Sequence, residues 1–278
     1  MLSERDVPLY LVAIKSFLRF YPAVSVVVHS DGSLSQASVA LIRRHVEGCK
    51  IIPAKEADDR ARRQLGTNSV LSRWRGLDAS YRRVIDTEIW SSSKRRIIMD
   101  ADIIVMDYPE EVVSWIEHGE SPFLIGQPPS PSPPASNGSV SAPRHMQTIF
   151  KEKLGPLSES LGYPLRLLDG TTSGFYGCTN ELPLERIEGV LKASTDLGIP
   201  MTEWGGEQCT VIYLLSVAGA VRLDPDRYFN FFADQSHKID RARLIHFIGT
   251  DRFYKNIYAS CASKVIESLL QAREPVAV

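Results

Sequence analysis

No stretch of the sequence reaches the roughly 18–20 consecutive apolar residues that a membrane helix needs, so no integral membrane segment is expected. The opening MLSERDVPLY has neither the basic nor the apolar stretch of a secretory signal, and the expected location is the cytoplasm. Cysteine is scarce. Cys49, Cys178, Cys209 and Cys261 stand far apart without a C-x-x-C pair, which argues against a disulfide framework or a cysteine zinc site. Neither sign of charge is in excess: 32 basic residues face 33 acidic ones, for a net charge of -1. A nucleic-acid partner would normally call for a basic surplus, so none is expected. Internal repeats are also absent.

What is present is an ordinary globular profile of 278 residues, 44% hydrophobic and 23% charged, read as one domain over 1–278. Residues 9–20 have helical spacing with a broad apolar face. A β-branched run at 24–29 ends in the turn Ser30-Asp31-Gly32-Ser33. Helix at 35–46, a short strand at 49–52, a charged helix at 77–93, an apolar strand at 97–105, a helix at 109–118 and a strand at 123–126 follow. This alternation predicts an α/β, Rossmann-related fold with a mostly parallel central sheet flanked by helices. Ligands of such sheets bind beyond the carboxyl ends of the strands.

Residues 127–143 (QPPSPSPPASNGSVSAP) interrupt the pattern. Their composition cannot build a core, and a flexible loop is expected, either a mobile lid or a dispensable insertion. Beyond it the pattern predicts helix at 145–161, strand at 171–178, helices at 183–196 and 206–218, strand at 243–247 and a last helix at 252–271.

The sharpest feature is Asp100-Ala101-Asp102, set between Ile97-Ile98-Met99 and Ile103-Ile104-Val105. In extended backbone, residues i and i+2 share a side, which puts the two carboxylates roughly 6–7 Å apart. At an effective dielectric of about 20 they repel by roughly 2–3 kcal/mol, and a cation between them reverses the sign. Hard divalent ions such as Mg²⁺ or Mn²⁺ take carboxylate oxygens and combine readily with diphosphate oxygens. The plainer alternative is that the strand ends at Asp100 and the acids cap the next element. His246 closes a second apolar strand, where a third ligand or a hydrogen-bonded core histidine are both open readings. Arg82 and Arg83 lie one helix upstream. They could reach a phosphate, although a solvated helix face is the plainer account. Trp74, Trp90 and Trp115 read as core, and His29, His45, His118, His145 and His237 as structural or surface residues.

The segment MDADIIV resembles the D-x-D strand of GT-A glycosyltransferases, in particular the glycogenin-like and related bacterial families. That resemblance implies that Asp100 and Asp102 bind a divalent cation, Mn²⁺ or Mg²⁺, bridging the diphosphate of a nucleotide sugar. Four further segments agree in order, over about residues 5–258. RDVPLYLVAIKSFLRFYPAVSVVVHSDGSLS resembles the first helix and second strand, with Asp31 where an acid often touches the nucleotide base. Thr171-Thr172-Ser173-Gly174-Phe175-Tyr176 resembles the N-S-G-F strand, where Ser173 and Gly174 let the sugar approach backbone; Thr172 stands where Asn is usual. Trp204-Gly205-Gly206-Glu207-Gln208 resembles the D/E-Q motif, whose acid orients an acceptor, acts as a base or stabilises positive charge at the anomeric carbon. Capping of the following helix is the bland account of Glu207. His246-Phe247-Ile248-Gly249-Thr250-Asp251-Arg252-Phe253-Tyr254-Lys255 resembles the H-x-x-G-x-x-K/R segment. It implies His246 as third metal ligand, Gly249 beside the diphosphate, and Arg252 or Lys255 neutralising the leaving phosphates.

The implied function is transfer of a sugar from a nucleotide-diphosphate donor, a UDP-sugar being favoured, to the hydroxyl of a glycan or small-molecule acceptor. Of the family's first strand at most Met1-Leu2-Ser3 is represented, so that strand is expected to be truncated. Together with Thr172 this motivates an alternative, a degenerate non-catalytic relative that binds nucleotide or glycan. A nucleotidyltransferase would share the sheet and the acids, but its Gly-rich, Lys/Arg-containing loop is missing near the N-terminus.

Overall fold

The computed structural model describes residues 1–127 and 146–272. The loop expected at 127–143, apart from Gln127, lies outside the described residues, as does His145. The chain begins with α1 (Val7–Leu18), β1 (Val27–His29), α2 (Gln36–His45), β2 (Lys50–Ile52), α3 (Ala54–Leu65), α4 (Val70–Leu77) and α5 (Ala79–Trp90). It continues through β3 (Arg96–Met99), β4 (Ile103–Val105), α6 (Glu110–His118) and β5 (Phe123–Gly126), then α7 (Met146–Glu152), α8 (Leu154–Leu161) and β6 (Thr171–Cys178). Next come α9 (Leu184–Asp196), α10 (Gly206–Val217), β7 (Val221–Arg222), β8 (Tyr228–Asn230), β9 (Leu244–His246) and α11 (Ile257–Gln271).

Helix starts follow local chemistry. Pro8 opens α1, and Ser35 caps α2 by accepting a hydrogen bond from the Ser38 amide at 3.1 Å. On α1 the buried residues Val7, Tyr10, Ile14 and Phe17 recur at helical spacing and face the sheet. α10 is apolar all round after its first turn and is buried from Cys209 to Ser216, as a central helix must be. Its amino end therefore cannot drift, which fixes Glu207 and Gln208 in space.

The principal sheet runs in the order β3-β6-β5-β8-β9-β4, with β7 beside β5. It is mixed, and so departs from the mostly parallel expectation. Parallel pairing holds for β5 with β7 and β8, for β8 with β9, and for the separate pair β1–β2 around α2. β6 runs against both neighbours and β4 against β9. Helices between strands do not by themselves set the direction: β5 and β6 pair antiparallel although α7 and α8 lie between them.

The expected single strand at 97–105 is broken at the two acids. β3 and β4 are consecutive in the chain yet occupy opposite ends of the sheet order. Residues 100–102 form the turn between them. The Asp100 amide donates to the Gly174 carbonyl at 2.9 Å, and the Asp102 carbonyl accepts from the Phe247 amide at 3.0 Å. This turn can join two sheet edges only because the sheet curls until they meet. Ahead of α1, Leu2 forms a single rung beside β1: the Leu2 amide donates to the His29 carbonyl at 2.8 Å, and the Asp31 amide to the Leu2 carbonyl at 3.1 Å.

Other boundaries shifted locally. The helix expected at 145–161 divides at Lys153, and α11 is preceded by a 3-10 stretch, Gly249–Asn256, with positive φ at Lys255 and Asn256. The four cysteines are free and buried. Trp115 is core, while Trp74 and Trp90 pack at its margin. Among the described residues no helix is long and apolar enough to cross a membrane.

One buried ion pair in this scaffold makes stability depend on pH. Burial pushes the Glu88 carboxyl up to about 7, and Arg96, 3.0 Å away, offsets only part of the effect. The folded state then binds the proton more readily than the unfolded chain, so stability is present below the ordinary value of 4.5 and declines as pH rises toward about 7. Urea denaturation should show the protein gaining about 2–3 kcal/mol between pH 8 and pH 5 relative to Glu88→Gln. Parallel pH profiles for the two proteins would contradict this origin.

Candidate functional site

The turn that closes the sheet also gathers its acids. Asp100 and Asp102 do not alternate along a strand. They project from the turn toward His246 at the end of β9, with Nε2 lying 3.1 Å from Asp102 Oδ1 and 3.6 Å from Asp100 Oδ2. One ligand atom from each of the three residues falls within 4.8 Å of the others. The imidazole is 4% exposed, and both acids are partly open to solvent. Burial pulls His246 down, but the charge of Asp102, its hydrogen bond and the charge of Asp100 more than compensate, so its pKa rises. Burial pushes Asp102 up, and the charge and hydrogen bond of His246 together with Arg252 reverse this, leaving the carboxyl below its usual range. Two carboxylates and one imidazole form a donor set that fits a divalent cation of the Mn²⁺ or Mg²⁺ class.

Gly174 on β6 explains how a buried ring fits there. A Cβ at this position would lie 2.1 Å from His246 Cε1 and 2.4 Å from Nδ1. The S-G-F glycine thus makes room for the histidine, which differs from the expected close approach of a sugar to backbone. The other edge of the ring meets Asn230 of β8, whose Oδ1 is 2.7 Å from His246 Nδ1.

The solvated-face reading of Arg83 is overturned. Its side chain is largely withdrawn from solvent, 15% exposed, donating through Nη1 to Asp100 and through Nη2 to Glu207 Oε1 at 2.9 Å and Ser173 Oγ at 3.3 Å. It joins three segments that are distant in sequence. The charges of Asp100 and Glu207 overcome burial and hold Arg83 well above its ordinary range. Burial raises Glu207, and Arg83 counters only part of the rise. Arg82 instead faces Asp58 at 3.8 Å.

Gln208 is held on both sides. Its Oε1 accepts from Thr172 Oγ1 at 2.9 Å, and its Nε2 donates to Gln127 Oε1 at 3.2 Å. Thr172 therefore keeps a polar role where Asn was the expected residue. Arg252 approaches the triad, with Nη2 3.2 Å from Asp102 Oδ2, while its Nε donates to the Gly249 carbonyl at 2.7 Å. Gly249 has φ +56 and open space around it. Lys255 is exposed and lies with Nζ 5.1 Å from the centre of the Tyr254 ring, so it is not gathered into the cluster. Asp31 sits at the carboxyl end of β1, where its Oδ1 accepts from Ser33 Oγ and N. The histidines His29, His118 and His237 contact Trp90, Glu117 and the Asp234 carbonyl respectively, away from the triad.

No family model matches the chain, and no curated protein sequence matches it. Its architecture nevertheless has solved counterparts. The galactosyltransferase LgtC, solved with donor and acceptor sugar analogues, aligns over 96% of this chain and 92% of its own, with TM-score 0.51 and 14% identity. Mouse xyloside xylosyltransferase 1 in its apo form aligns over 88% of this chain and 93% of its own, with TM-score 0.50 and 13% identity. The chain has the GT-A glycosyltransferase fold.

Because Glu207 is buried against Arg83, removing the cation alone strands a charge. Arg83→Met should destabilise the protein by about 3–5 kcal/mol in urea. Adding Glu207→Gln to it should recover more than half of that loss. A near-neutral Arg83→Met would show that the pair is solvated and that the proposed burial is wrong.

Proposed function

We propose that this chain is a metal-dependent glycosyltransferase that moves a sugar from a nucleotide-diphosphate sugar to an acceptor hydroxyl. The observation that carries the reading is the convergence of Asp100, Asp102 and His246 at the turn closing the curled sheet. Such a donor set inside a GT-A fold is suited to Mn²⁺ or Mg²⁺, and a UDP-sugar is the favoured donor. When bound, the cation supplies Lewis-acid stabilisation of the departing diphosphate.

The chain's own residues complete the proposal. Arg252, beside Asp102, supplies positive charge toward the departing phosphates. The bond from the anomeric carbon to the phosphate oxygen breaks, the acceptor oxygen takes its place, and the hydroxyl proton is released. Glu207 is committed to Arg83 and Ser173, which favours orientation of the sugar and electrostatic support of the anomeric carbon over proton abstraction. Thr172 and Gln127 hold Gln208 in a fixed pose for the same purpose. In this reading Ser173 serves the sugar side, Gly249 the diphosphate side and Asp31 the base side, while Gly174 serves by making room for His246 and Lys255 stays outside the cluster. The single domain implied by the resemblance accommodates all of them.

Isothermal titration with UDP should give binding that depends on Mn²⁺, and Asp102→Ala should weaken it by tenfold or more. Binding indifferent to both metal and Asp102 would end this reading. Slow hydrolysis of a UDP-sugar in the presence of Mn²⁺ is also expected. It should fall by about 10²-fold in Glu207→Gln if the carboxylate stabilises developing charge. Nucleotide binding without any hydrolysis would favour the non-catalytic alternative instead.

A further inference from the structure

The run Tyr228-Phe229-Asn230-Phe231-Phe232 carries one polar side chain among four aromatic ones, and that side chain is wholly buried. Burying an amide in such surroundings is unfavourable unless its polar atoms are bonded. Asn230 stands opposite His246 in the parallel β8–β9 register, so the two side chains share a face of the sheet. The contact of Asn230 Oδ1 with His246 Nδ1 at 2.7 Å occupies the amide oxygen, while Nδ2 finds no partner among the described residues. An amide oxygen only accepts, so with the amide in this orientation the Nδ1 that meets it carries the proton. In the neutral ring the lone pair is then on Nε2, the atom that faces Asp100 and Asp102. The same amide orientation also suits the imidazolium, which donates through both nitrogens. Gly174, packed against the ring, has no side chain to displace it from this position.

Resting on the function proposed above, we infer that Asn230 is a positioning residue for the cation site. It locks His246 as the Nδ1–H tautomer, keeps the Nε2 lone pair aimed at the acids, and so biases the site toward Mn²⁺ over Mg²⁺. Imidazole nitrogen is a better ligand for first-row transition metals than for Mg²⁺, which takes oxygen. A site that guarantees the nitrogen lone pair discriminates between the two ions, whereas a site left with two carboxylates alone does so weakly. Hydrogen bonds of this kind, to the far nitrogen of a ligating histidine, fix ring orientation and ligand basicity.

The test uses the full chain with Asn230→Asp, which keeps an acceptor, and Asn230→Leu, which removes it at similar volume. Free Mn²⁺ is read by electron paramagnetic resonance, and Mg²⁺ by its competition with Mn²⁺. The imidazole tautomer is read by nitrogen-15 NMR of the metal-free protein at alkaline pH, where the ring is neutral. Asn230→Leu should weaken Mn²⁺ binding by about 10–100-fold and Mg²⁺ binding by less than about threefold, with the Nε2–H tautomer appearing. Asn230→Asp should bind Mn²⁺ within about threefold of the wild type or more tightly. The inference is overturned if a folded Asn230→Leu keeps the wild-type Mn²⁺ affinity and tautomer, or if both variants lose Mn²⁺ and Mg²⁺ equally. Should Asn230→Leu lose its native near-ultraviolet circular dichroism, Asn230→Asp decides: a tenfold or greater loss of Mn²⁺ affinity there overturns the inference as well. A wild-type protein that binds no Mn²⁺ would refute the metal-dependent function, while the tautomer measurement would still judge Asn230 separately.

Discussion

The structure depends on one constraint, the closing of a curled sheet through a three-residue acidic turn. β3 must end on β6 and β4 must begin on β9, and the backbone of Asp100 and Asp102 makes both junctions. A regular strand would have sent the chain past this point along one edge. Breaking it there aims two carboxylates into the concavity and leaves their backbone groups satisfied by Gly174 and Phe247. The absence of a side chain at Gly174 then lets His246 sit between β6 and the turn. The metal-type cluster therefore depends on the curl of the sheet, which brings its three residues together.

Charge balance explains how so many ionisable groups tolerate burial together. Asp100, Asp102 and Glu207 are matched by Arg83, Arg252 and His246, each acid within ion-pair distance of at least one of the three. In the proposed function Asp100, Asp102 and His246 would hold a divalent cation, for which His246 would have to be neutral. The site then carries a positive excess suited to a diphosphate. Arg83 is the fixed member of this set, anchored on α5 to Asp100 and Glu207 at once. Arg252 is the looser one, on the 3-10 stretch, with a quarter of its side chain exposed.

How much of this was legible in the sequence depended on whether the signal was local. Strand 123–126 was readable to the residue as a short apolar run, and strand 171–178 as one entered through small residues. Asp100 and Asp102 stood out because acids break the apolar run around them, whereas the joining of His246 to them was what the family resemblance implied. The reason given for pairing the two acids was incomplete: the acids share a side through a turn and not through strand alternation. α3 and α4 escaped because their charged faces dominate the stretch, and β8 because three residues give too short a period. Arg83 was misjudged since its partners lie 17, 90 and 124 positions away, and nothing nearby distinguishes it from Arg82.

A single rule connects the residues that were found with the one that was overlooked. A polar residue inside an otherwise apolar run has to be satisfied after folding, and the element it belongs to cannot satisfy it alone. Asp100 and Asp102 among isoleucines obey this rule, and so does Asn230 between Phe229 and Phe231. The difference lies in the partner. An acid implies a cation and invites a search for one, whereas an amide accepts many partners and attracts no such search. In the folded chain Asn230 meets His246, which meets Asp102, which meets Arg252. The polar interruptions of three strands thus form one continuous chain of contacts, running from the buried amide outward to the guanidinium at the surface.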